Sequence, residues 1–133
     1  MAKMPQEVIS FLEGPGNRIV LGFVDANGAP SVLAKGKLII VDDETVAFAD
    51  RANIKLLTDF KANDKAAVIA AGDKERFGYQ IKGTFQEYQT SGILFDQWAG
   101  SMEGPAGDLV RMGLIKVDKI YSFISGAHGR QIA

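Results

Sequence analysis

The chain has no cysteine, a single histidine and a single tryptophan among its 133 residues. Without cysteine there is no disulfide framework, no thiolate nucleophile and no zinc-finger spacing. A reducing compartment fits that composition, and the cytoplasm is the expected location. Net charge is scarce too: 15 Lys and Arg against 16 Asp and Glu leave −1, which argues against nucleic acid as a partner. Long apolar runs are missing, and no segment approaches the roughly 20 residues that a membrane span requires. The first seven residues carry neither an apolar run nor a cleavage site, so no signal peptide is expected. The one histidine, His128, sits in a glycine-rich tail without a second ligand at useful spacing, so neither a metal centre nor a catalytic triad is expected. A lone histidine suits axial ligation of haem, but no other residue argues for it.

Glycine is plentiful, with 15 residues, and much of the chain alternates apolar with polar. The spacing of Val8, Ile9, Phe11 and Leu12 predicts a short helix from Pro5 to Glu13, stopped by Gly14-Pro15-Gly16. Strands are predicted over 18–24, 31–41, 45–50, 65–71, 77–89 and 113–123. Asn27-Gly28 between the first two is a strong hairpin signal, and Asp42-Asp43-Glu44 makes the next turn. Along 77–89, Tyr79, Ile81, Gly83, Phe85 and Glu87 fall on one side, with Gly83 marking a bulge or a close backbone approach. Helices are predicted over 54–62, burying Leu56, Leu57 and Phe60, and over 93–100, where Trp98 serves a core or an interface. No linker divides the chain, so 1–133 is read as one domain, with 1–4 and 125–133 as tails. Six strands with hairpin turns and a few short helices predict a mostly antiparallel barrel.

The segment from Phe48 to Leu57 interrupts the hairpin logic. It reads as a strand end, a loop and a helix start with Asn53 as N-cap. A helix N-terminus normally draws acids into its first turn; here stand Lys55 and, just upstream, Arg51. Two cations beside free backbone N–H groups suit a bound phosphate, and they equally suit a solvated surface. Val32-Leu33-Ala34-Lys35-Gly36-Lys37 is a second such case. Its lysines are those of an edge strand protected from aggregation, or Gly36 lets a flat ring approach backbone amides.

Taken in order, the Asn-Gly hairpin, the strand 32–37, the strand end Phe48-Ala49-Asp50, the helix start Ile54-Lys55 and the late strand Gly78-Tyr79-Gln80-Ile81-Lys82-Gly83 resemble the pyridoxamine 5′-phosphate oxidase-related FMN-binding family. The likeness is closest to its small bacterial FMN-binding members and spans nearly the whole chain. It implies a mostly β fold, an antiparallel six-stranded split β-barrel with a few short flanking helices. It also implies FMN as cofactor, bound at a homodimer interface. The isoalloxazine edge would lie against Val32, Leu33, Ala34, Lys35, Gly36 and Lys37, with Ala49 and Asp50 beside the ribityl chain. Arg51, Asn53, Ile54 and Lys55 would surround the phosphate, and Gly78 would approach from the partner subunit. Two departures stand out: one lysine occupies a place where the family has two phosphate-binding side chains, and the oxidase's C-terminal arginine and histidine elements have no counterpart. The expected function is that of a flavin-dependent oxidoreductase or electron-transfer protein with an unknown redox partner. The alternative is a non-catalytic module binding FMN, a deazaflavin or haem. No catalytic residue is assigned.

Overall fold

Asn27-Gly28 does turn the chain. Gly28 takes φ 83, a left-handed conformation that glycine adopts without a Cβ penalty. Its amide donates to the Asp25 carbonyl at 2.9 Å. The Asp25 carboxylate accepts the amides of Asn27 and Ala29, each at 2.9 Å. This turn joins β1 (Asn17–Val24) to β2 (Pro30–Lys35) as an antiparallel pair. The structure is a computed structural model that describes residues 2–14, 17–35, 38–50, 60–72, 78–101, 111–123 and 129–133.

The remaining elements are α1 (Gln6–Glu13), β3 (Leu38–Asp42), β4 (Thr45–Asp50), β5 (Lys65–Gly72), β6 (Gly78–Gln89), α2 (Ile93–Ser101), β7 (Arg111–Ser122) and β8 (Arg130–Gln131). The strands form one antiparallel sheet in the order β2-β1-β5-β6-β7-β4-β3, with β8 pairing β7 beside them. The single strand expected over 31–41 is divided. β2 lies at one edge of the sheet and β3 at the other, yet only residues 36 and 37 separate them. Three chain steps span at most about 11 Å, so the two edges must come together and the sheet must curl. The result is a split barrel, closed along the seam by the chain and not by a hydrogen-bonded strand pair. The expected six strands become eight among the described residues, through this division and the short β8.

Alternation decides what lies inside. Ile19, Leu21 and Phe23 of β1, Val68 and Ala70 of β5, Tyr79 and Ile81 of β6, and Ile115, Val117 and Ile120 of β7 are all buried. Val8 and Leu12 of α1 join the same core. The helix is held to β1 by the Asn17 side-chain amide, which donates to the Phe11 and Gly14 carbonyls. Gly83 behaves as its sequence context predicts: the ladder shifts register at Lys82/Gly83, and a Cβ there would lie 2.4 Å from the Lys116 carbonyl oxygen.

A second register shift at Phe85/Glu87 corrects one expectation. It changes the phase of the strand, so Glu87 is exposed while Tyr88 turns towards Phe48 and Phe85, with ring centroids 6.3 and 4.8 Å away. Phe60 stacks on Phe85 at 4.4 Å. It is buried as predicted and belongs to helical residues 60–62; Leu56 and Leu57 lie outside the described residues. The terminal segments read as tails also make contacts. Met4 is buried, Ala2 donates its amide to the Val117 carbonyl, Ile132 donates its amide to the Ile120 carbonyl of β7, and the Ala133 carbonyl accepts the Ile120 amide.

Candidate functional site

The seam between β2 and β3 is where the predicted site residues gather. Among the described residues β2 is hydrogen-bonded to β1 on one side and forms the sheet edge on the other, so alternate backbone N–H and C=O groups face outward along it. Val32 stands opposite Gly22 and is 69% exposed. Leu33, opposite Leu21, packs against the core; it can meet an outer ligand through its backbone alone. Ala34 and Lys35 continue the strand opposite Val20 and Ile19. Gly36 and Lys37 lie outside the described residues.

β3 carries the chain from the seam to β4, where Leu38 pairs with Phe48. That hairpin brings the start of β3 alongside Ala49 and Asp50, the end of β4. Ala49 joins a small cluster on the outer side of the sheet, built on buried Ala47 and Met112 and covered partly by Leu94 and Phe95 of α2. Ile93 of the same helix is 80% exposed, and the Trp98 side chain lies outside the described residues. Arg51, Asn53, Ile54 and Lys55 are likewise outside them, so the predicted phosphate end of the site is reached only as far as Asp50.

Gly78 is placed apart within one chain. Lys35, Ile19, Ala70 and Tyr79 form one row across the sheet, which sets the start of β6 three strand spacings, about 14 Å, from β2. A Cβ at Gly78 would fall 2.2 Å from the Ala70 carbonyl oxygen. The packing of β6 on β5 therefore requires glycine there in any case.

Two features were missed from the sequence. Arg111 stands directly opposite Asp50 at the start of β7, and its guanidinium carbon sits 4.3 Å from the centre of the Tyr88 ring. Such an Arg–aromatic contact is worth about 0.5–2 kcal/mol, depending on desolvation. Glycines upstream hid this strand start; the cation at the beginning of an alternating run was the available signal. The other is an apolar patch on the outer face. Val20 and Ile69 are neighbours across β1 and β5, and with Val32 they are exposed large hydrophobic residues. Gly22 and Ala67 lie in the adjacent row and keep that face shallow. Among the described residues, no group of three acidic or histidine side chains is placed to hold a metal, and no helix is long and apolar enough to cross a membrane.

This split barrel is a known fold. The chain is similar to HupZ of Group A Streptococcus, with TM-score 0.77 and 24% identity over 94% of this chain and 98% of that one. It is similar to an FMN-binding protein from Syntrophomonas wolfei, with TM-score 0.72 and 18% identity over 88% and 84% of the two chains. A third similar structure is a Clostridium acetobutylicum protein of the pyridoxinephosphate oxidase family, related to general stress protein 26, with TM-score 0.67 and 14% identity over 96% and 90%. No family model and no curated protein matches the sequence. The fold expected from the resemblance is the fold observed.

Proposed function

We propose that this chain binds FMN without a covalent link at the interface of a cytoplasmic homodimer, and acts as a flavin-dependent oxidoreductase or electron-transfer protein. The observation that carries the reading is the exposure of Val32 on a strand that, among the described residues, forms the edge of the sheet. A flat tricyclic ring needs an apolar surface and, at its polar rim, hydrogen-bonding groups in a row. β2 offers both within a few residues. Ala49 and Asp50, brought alongside by the β3–β4 hairpin, mark the direction of the ribityl chain, and the segment beyond them, with Lys55, is the expected phosphate end. An FMN-binding protein among the similar structures supports the same cofactor.

An apolar patch on the outer face supports the dimer. Val20, Val32 and Ile69 are exposed on or near β2, and a second copy packed there would remove from water both the patch and one face of a ring laid against that strand. Bound FMN supplies the redox chemistry; the protein supplies position, exclusion of water and the electrostatics around the ring. Adding FMN to the purified protein should raise its melting temperature, as any ligand selective for the folded state must. The complex should show the two visible bands of oxidised flavin. A protein indifferent to FMN but giving a Soret band with haemin would overturn this reading in favour of a haem-binding module.

A further inference from the structure

We infer that the outer face of β6 and β7, centred on Lys82 and Lys119, is a docking surface for an acidic segment of another protein, whether or not a flavin is bound. Lys82 and Lys119 are direct cross-strand neighbours, and both are exposed. Like charges placed directly opposite each other in a sheet are destabilising. The pair lies on two inner strands, so protection of a sheet edge against aggregation does not account for it. A repulsion kept in the middle of the sheet points to a use outside the fold.

The neighbouring row strengthens the charge. Lys65, Thr84 and Lys116 follow one another across β5, β6 and β7. The two carboxylates at hand are engaged there: Asp118 accepts the Thr84 hydroxyl at 2.7 Å, and Glu44 pairs with Lys116 at 3.6 Å. Lys65 donates to the same Thr84 hydroxyl at 3.3 Å. Across these two rows four lysines meet two carboxylates, although the chain as a whole carries −1. Among the described residues no carboxylate pairs with Lys82 or Lys119; the Lys82 ammonium lies 5.7 Å from the centre of the Tyr121 ring. A short run of carboxylates is the chemistry that fits such a face. Such a run meets only the local charge, because salt screens exposed charges beyond about 8 Å. A nucleic acid fits less well: as a long polyanion it would extend past these rows onto a chain without a basic balance.

Binding should be read on the full chain by fluorescence anisotropy of a labelled poly-L-glutamate peptide, at low and at physiological salt. Lys82→Glu and Lys119→Glu should each weaken it about ten-fold. Lys3→Glu and Lys61→Glu, which change the net charge equally at exposed positions on other elements, should weaken it by less than about two-fold. Lys119→Glu also sets a carboxylate opposite Lys82, so its urea midpoint should rise while its affinity falls. A lysine kept for the fold would give the opposite sign. A midpoint that falls, or equal weakening by all four variants, would overturn the assignment. So would a wild type that ignores the peptide even at low salt, or one that binds single-stranded DNA more tightly than the peptide. A lower light-scattering mass for Lys119→Glu than for the wild type would overturn it too, and give this face to a contact between copies of the chain.

Discussion

Phe48 and Gly113 show how tightly single residues are fixed in this barrel. They are direct neighbours across β4 and β7, and a Cβ on Gly113 would lie 2.2 Å from Cζ of the buried Phe48 ring. Gly113→Ala should therefore cost about 1–3 kcal/mol by overpacking, measured by urea denaturation, and Phe48→Leu should recover part of that loss when combined with it. A neutral Gly113→Ala would mean that the ring has room to move. Tyr79 carries a different signature. Burial, with the Glu7 carboxylate adding to it, holds its phenol above the ordinary value of 10.0. The folded chain keeps a proton there that the unfolded chain gives up near pH 10, so this contribution to stability is present below that pH and is lost as pH rises through the folded-state value. Tyr79→Phe should flatten the alkaline decline of the melting temperature; an unchanged decline would assign it to another group. At this scale the sequence was legible where a residue has one use. Asn27-Gly28 and Gly83 are such residues, because a left-handed turn and a close backbone approach admit few alternatives. Tyr88 and Arg111 were not legible, since a bulge set the phase of one and strand register gave the other its neighbour.

Elements were legible wherever alternation or helical spacing ran unbroken, as in β1, β5 and α1. The division of 31–41 was hidden because both halves alternate alike, and only the sheet decides that they lie on opposite edges. β8 was hidden for another reason: two residues give no period, and Arg130–Gln131 is a strand because β7 presents an edge for it. That edge is shared. β4 takes Arg111–Lys116, Ala2 bonds to Val117, and Ile120 donates its amide to the Ala133 carbonyl at 3.1 Å and accepts that of Ile132 at 2.8 Å. Removing residues 130–133 should lower stability by at least roughly 1–3 kcal/mol, the size of the two backbone hydrogen bonds at Ile120 alone, with the β7–β8 pairing lost besides, seen as a lower urea midpoint. A midpoint that does not move would show the segment to be dispensable.

For the molecule as a whole, the prediction concerns assembly. Ile69→Lys puts a charge in the middle of the outer apolar patch without touching the seam or the core. The wild type should scatter light as a dimer at micromolar concentration, and the variant as a monomer with an intact fold and weakened flavin binding. A variant that stays dimeric would move the interface elsewhere. The seam itself has a consequence for solvent exchange. Because β2 is bonded on one side only among the described residues, its amides should form a comb, slow and fast teeth alternating along the strand in deuterium uptake. A ring laid against that edge would slow the fast teeth and leave the others as they were. The protein would then record its own occupancy in its backbone, residue by residue, even in a sample too dilute to show colour.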